Sequence, residues 1–117
     1  MKKSEASEQI AVIQYCDMRG YTIFHIPNGG TRNSIEAANL KRQGVRAGVP
    51  DLCCPVPKGE YHGLLIEMKY GKNKITLNQE KWLELLNKNG YATAVCYGFD
   101  EAKNVIDKYF SNKFNGA

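Results

Sequence analysis

Asp51, Glu67 and Lys69 are the residues whose types and spacing point most directly to chemistry. They lie in AGVPDLCCPVPKGEYHGLLIEMKYG, residues 47 to 71, where two apolar runs flank a Pro-Lys-Gly-Glu turn. That pattern predicts a β-hairpin with a short loop. Folding the hairpin about Gly59 sets Asp51 opposite Glu67. Cross-strand partners have Cβ atoms only ~5 Å apart, and like charges placed there are destabilising. Glu67 and Lys69, two apart on one strand, emerge on the same face, while Met68 faces the other. Two carboxylates and an ammonium therefore converge on one patch. A hard divalent cation relieves the conflict, since Mg²⁺ is held by one or two carboxylates together with phosphate and water. The bland alternative is a solvated cluster that Lys69 neutralises. The apolar setting of Glu67 in Leu64-Leu65-Ile66-Glu67-Met68, and the Gly48-Val49-Pro50 that precedes Asp51, favour the metal.

The elements around the hairpin follow from periodicity and punctuation. Residues 5 to 18 read as a helix with the stripe Val12, Ile13, Cys16, ended by Gly20. Residues 21 to 26 form a short strand, stopped by Pro27-Asn28-Gly29-Gly30. Asn33 is the N-cap of a helix over about 34 to 43, with Glu36 three residues on and Gly44 at C′. Hairpin strands follow at about 51–56 and 62–69. Thr76 starts a helix whose expected buried face carries Trp82, Leu85 and Leu86. Residues 91–97 are a continuous apolar run, as in a central strand buried on both faces. A last helix from about Asp100 buries Ala102, Val105, Ile106 and Tyr109, and residues 111–117 read as a frayed tail. The order α-β-α-β-β-α-β-α predicts an α/β layered domain on a small mixed sheet.

Composition is that of a soluble globular protein: 117 residues, 43% hydrophobic, 24% charged, net charge +4. The length fits one domain over 1–117, with a core at about 5–110. The positive charge mildly favours a polyanionic partner. No signal-peptide pattern appears near the N-terminus, and the uncharged run Tyr91 to Phe99 is too short to span a bilayer. A soluble, cytoplasmic protein with no membrane partner is expected. Cys16, Cys53, Cys54 and Cys96 form no C-x-x-C pair and have no companion His spacing, so reduced thiols are expected rather than a zinc site.

Pro50-Asp51 followed by Glu67-x-Lys69 on the next strand resembles the PD-(D/E)XK nuclease superfamily. More narrowly, the chain is similar to small stand-alone, often phage-encoded members of the VRR-NUC (virus-type replication-repair nuclease) family. The likeness rests on His25-Ile26-Pro27-Asn28-Gly29-Gly30, Gly44-Val45-Arg46-Ala47-Gly48-Val49-Pro50-Asp51-Leu52, Ile66-Glu67-Met68-Lys69 and Leu77-Asn78-Gln79-Glu80-Lys81-Trp82, in that order. The resemblance implies a restriction-endonuclease-like fold, with a mixed four-stranded sheet flanked by helices. It also implies Mg²⁺- or Mn²⁺-dependent cleavage of DNA phosphodiesters. Asp51, Glu67 and the Met68 carbonyl are the implied metal ligands, and Lys69 the partner of the attacking water. The chemistry agrees: a metal activates water and stabilises phosphate charge, so few other groups are needed.

The resemblance also implies a first-helix acid near the metal. Glu5 continues the inward stripe and Glu8 borders it; Glu5 is slightly favoured and both stay open. Gln79 admits two readings: the N3 residue of a Thr76 capping box, or a group near the site. His25 is either a substrate contact or a satisfied strand-end histidine, and His62 reads as structural. Arg32, Lys41, Arg42, Arg46, Lys72 and Lys74 are spaced to flank the site, as a rim for DNA phosphates.

A structure-selective DNA endonuclease is the leading function. A non-catalytic DNA-binding module on the same fold is the alternative, disfavoured by the intact acid pair and lysine. A sequence-specific restriction-type enzyme would need recognition elements reaching a groove, for which little chain remains. One small active site per chain, set against a four-way (Holliday-type) junction of approximate two-fold symmetry, predicts a homodimer acting on branched DNA.

Overall fold

A computed structural model describes residues 3–28 and 33–115. Its elements are α1 (Glu5–Arg19), β1 (Phe24–His25), α2 (Ser34–Arg42), β2 (Leu52–Cys54), β3 (Leu64–Lys69), α3 (Leu77–Lys88), β4 (Ala92–Tyr97) and α4 (Phe99–Phe110). The four strands form one mixed sheet in the order β1-β2-β3-β4. β1/β2 and β2/β3 are antiparallel; β3/β4 is parallel.

The hairpin register is the one that folding about Gly59 predicts: Leu52 faces Ile66, Cys53 faces Leu65 and Cys54 faces Leu64. The strands are shorter than expected. Pro55 and Pro57 have no N–H to give to a ladder, so β2 stops at Cys54. The tip is a separate bridge, Lys58 to Tyr61. It leaves three residues in the first arm against two in the second, and the Tyr109 hydroxyl donates to the Val56 carbonyl (2.6 Å) to hold the irregular arm.

Strand alternation divides the sheet into two unlike faces. Leu52, Cys54, Leu64, Ile66, Met68, Ala92, Ala94 and Cys96 join Val12, Cys16, Ala102, Ile106 and Tyr109 in one apolar core, so α1 and α4 cover this side. The other face carries Leu65, Glu67, Lys69, Thr93 and Val95. A shallow groove lined by Leu83, Glu84 and Asn87 with Thr93 and Val95 marks where α3 lies against it.

Four expectations need correction. Among the described residues β4 is an edge strand rather than a central one, paired with β3 alone; its apolar run reflects helices packed on both faces. Leu85 is 49% exposed, because the inward stripe of α3 runs through Gln79, Trp82, Leu83 and Leu86, all half-buried. Of the tail expected at 111–117, the described residues 111–115 are anchored, since Phe114 packs on the core edge-on to the Tyr61 ring. The strand expected over 21–26 is laddered only at Phe24 and His25.

Helix ends obey local chemistry. Ser4 and Ser7 form a capping box at α1, and Gly20 (φ 73°) closes it. Asn33 caps α2 by accepting from the Glu36 N–H (2.8 Å). Gly44 (φ 110°) lets the Val45 N–H return to the Leu40 carbonyl and its own N–H to the Lys41 carbonyl. All four cysteines are free thiols; burial raises the Cys54 and Cys96 pKa to about 12 and that of Cys16 to about 11. Among the described residues no helix is long and apolar enough to cross a membrane.

Candidate active site

Asp51 stands one residue before β2, where the ladder with β3 has ended at Leu52–Ile66. Its Oδ2 takes over as acceptor for the next inward amide of β3, the Met68 N–H, at 2.8 Å. This fixes the Asp51 carboxylate beside Glu67. Glu67 is only 3% exposed. Its Oε2 accepts from the Gln79 amide at 3.3 Å, while Oε1 is buried with no hydrogen-bond partner among the described residues. Burial first, then Asp51, raises the Glu67 pKa to about 9; the Lys69 charge opposes the rise and Glu5 adds to it. Glu67 thus keeps its proton well above the usual carboxylate range, which lessens its repulsion with Asp51.

Gln79 fulfils both readings at once. Its carbonyl oxygen accepts from the Thr76 N–H (2.8 Å) to complete the capping box, and its amide nitrogen reaches Glu67. The capping geometry thus orients the side chain that orients the acid. Lys69 is 8% exposed, and its ammonium makes no hydrogen bond or ion pair among the described residues.

The two first-helix acids separate cleanly. Glu5 is half-buried; its pKa is raised by burial and by Asp51 and lowered by Lys69, so it feels the site's charges. Glu8 is turned elsewhere: its Oε1 accepts from the Phe99 N–H (3.2 Å). It caps α4, whose N-cap residue Gly98 has no side chain to offer.

The basic residues are exposed. Lys41 and Arg42 end α2, and Arg46 donates to the Lys41 carbonyl (3.2 Å). Lys72 and Lys74 lie in the turn after β3. Among the described residues none of these five is in a salt bridge; the two found there, Arg19–Asp107 and Lys103–Asp107, lie on α1 and α4. Arg32, and the Gly29-Gly30 turn, lie outside the described residues. His62 is structural: its ring packs edge-on to Tyr91 and against Gly90, where a Cβ would lie 2.5 Å from it.

Three positioning features are not evident in the sequence alone. Gly48 (φ 90°) sits so close to α3 that a Cβ would lie 2.6 Å from the Asn78 backbone, which docks the Asp51 segment against the helix carrying Gln79. A glycine two before a proline hints at such a contact without naming its partner. His25 Nδ1 lies 2.8 Å from the Asp51 carbonyl, and the Asn28 amide donates to the Val49 carbonyl at 3.0 Å.

Would a divalent cation suit these residues? Among the described residues no three His, Cys, Asp or Glu side chains cluster closely enough to cage a metal by themselves. Two facing carboxylates with one unpartnered buried oxygen are what a cation completing its shell from backbone, water or phosphate oxygen needs. The donor set fits.

An antiparallel hairpin extended by a parallel strand, with paired acids and a lysine at its open end, defines a domain of the PD-(D/E)XK nuclease class. A solved structure of a protein described as a VRR_NUC domain protein superposes with a TM-score of 0.82 at 34% identity, covering 100% of this chain and 97% of that one. The VRR-NUC domain model matches residues 3–100, and the chain belongs to the VRR-NUC family of nucleases. No curated protein sequence matches it. Nucleases of this type act on DNA and are generally dependent on divalent metals.

Proposed function

We propose that this protein is a Mg²⁺- or Mn²⁺-dependent, structure-selective DNA endonuclease acting as a homodimer on four-way junctions. The observation that carries the metal dependence is the buried Glu67 oxygen beside Asp51, which has no partner among the described residues. Asp51, Glu67 and the Met68 carbonyl would hold the cation, which supplies water activation and charge neutralisation at the phosphate. Asp51 and Glu67 come to that task already oriented, by the Met68 N–H and the Gln79 amide. Lys69, buried and in no hydrogen bond or salt bridge among the described residues, orients the attacking water and stabilises negative charge developing on the phosphate. Glu5 adds a further carboxylate at the α1 end of the site. Exposed Lys41, Arg46 and Lys72, with Arg32, offer contacts for the phosphate backbone.

Junction preference and dimerisation rest on symmetry: two strand cuts across a two-fold substrate call for two sites related by the same axis. The test is cleavage of labelled duplex, flap and four-way junction DNA with Mg²⁺, Mn²⁺ or EDTA, alongside sedimentation at micromolar protein. Metal-dependent paired nicks by a dimer are expected. Cleavage undiminished in EDTA would refute the metal, and full junction cleavage by a monomer would refute the dimer.

A further inference from the structure

We infer that His25 and Asn28 are positioning residues for Asp51, forming a two-pronged clamp on the backbone that carries it; this rests on the metal-nuclease reading above. Asp51 precedes the first laddered residue of β2, so only its own carbonyl and carboxylate tie it to the neighbouring strands. Pro50 has no N–H with which to anchor the segment. The carbonyls on either side of Pro50 are gripped instead. Asn28 donates to Val49 (3.0 Å), while the Asp51 carbonyl receives both the Ile26 N–H (2.8 Å) and the His25 ring at Nδ1 (2.8 Å). Asp51 is thereby pinned at both ends, by β1 at its carbonyl and by β3 at Oδ2.

The geometry also fixes the tautomer. A carbonyl has no hydrogen, so at 2.8 Å Nδ1 must carry the proton and donate it. The Gln9 amide nitrogen lies 3.2 Å from the same ring nitrogen, so α1 packs beside the ring. The ring steadies Asp51, and the effect on chemistry is indirect. Partners of this kind, one bond removed from a metal ligand, typically govern affinity about 10–100-fold.

Two amide side chains mimic the two ring nitrogens separately. Asn places its NH₂ where Nδ1 lies; Gln places its NH₂ where Nε2 lies. His25→Asn should therefore stay within about threefold of wild type. His25→Gln and His25→Ala should lose about tenfold or more in Mn²⁺ affinity and in kcat, with KM for DNA unchanged. A metal-free readout accompanies these, hydrogen exchange at the Met68 amide, which is bonded to Asp51. Exchange there should speed up about tenfold in the His25→Gln and His25→Ala proteins but not in His25→Asn. The Ile106 amide in α4 serves as the reference that stays constant if the fold is intact. Asn28→Leu should show the same change in smaller degree. Wild-type Met68 exchange in His25→Gln, or a His25→Asn protein as impaired as His25→Ala, would overturn the clamp. If wild type neither bound Mn²⁺ nor cut DNA, the nuclease-site reading would fall, and Met68 exchange would still decide the clamp.

Discussion

The two faces of one sheet in this protein follow opposite rules. On the α1/α4 side, Leu64, Ile66, Met68, Ala94 and Cys96 meet Val12, Ile106 and Tyr109, and every buried side chain is apolar or, like the Tyr109 hydroxyl, bonded. On the α3 side the same strands bury Glu67, Lys69 and Thr93. One Glu67 oxygen has no partner there and its carboxyl holds a proton far above the usual range. Burial without pairing is normally costly. Its concentration at the open end of one hairpin teaches that the apolar face stabilises a fold on which the other face carries a site less stable than it might be.

The sharpest way to separate the faces is to empty the site. Asp51→Ala, Glu67→Ala and Lys69→Ala should each lower cleavage by about 10²–10³-fold or more while leaving the circular dichroism spectrum unchanged. Wild-type rates in the Lys69→Ala protein would remove Lys69 from the catalytic group. Lys69→Arg should also be poor, since a planar guanidinium does not replace a compact ammonium.

Truncation on the apolar face should behave in reverse. Ile66→Ala or Ile106→Ala should cost about 2–5 kcal/mol of stability in denaturant unfolding, because both side chains are fully buried and leave a cavity. The fraction that remains folded should keep its cleavage rate, measured as turnover per folded molecule.

Gly48→Ala tests the join between the site and α3. The added methyl would lie 2.6 Å from the Asn78 backbone at a φ of 90°, so the loop must move. Cleavage should fall about tenfold or more with a smaller loss of stability, since Asp51 and Gln79 lose their common reference. Unchanged cleavage in this variant would show that the contact is dispensable.

The gentlest test is pH. Folded, metal-free protein holds the Glu67 proton up to about 9, whereas the unfolded chain releases it near 4.5. Between those values the native state binds more protons, so stability falls as pH rises. The contribution is complete below pH 4.5 and gone once pH passes through 9. Melting temperature in EDTA should decline across about pH 5 to 9 by more in wild type than in Glu67→Gln, and the variant should melt higher at about pH 8. Equal slopes would mean that Glu67 is ionised in the folded state.

Much of this was written in local sequence. Strand alternation was enough to set Asp51 opposite Glu67, because a one-residue slip would turn the apolar face outward, even though the tip bridge is itself offset by one from the ladder. Caps at Asn33 and Thr76 are contacts within a few residues, and the family motifs lie in order along the chain. Local pattern could not say that β4 lies at an edge, since burial by helices on both faces looks the same as burial between strands. Nor could it separate Glu5 from Glu8, or reveal that Gln79 serves its helix cap and Glu67 together. Those outcomes depend on partners 91 residues away in the case of Glu8 and 12 in that of Gln79. Residue types and their spacing determined which groups are available and which strand face each occupies. Only the tertiary structure decided which carboxylate meets a helix end, which meets a second acid, and which carbonyls His25 and Asn28 hold, because those contacts exist only once distant segments pack together.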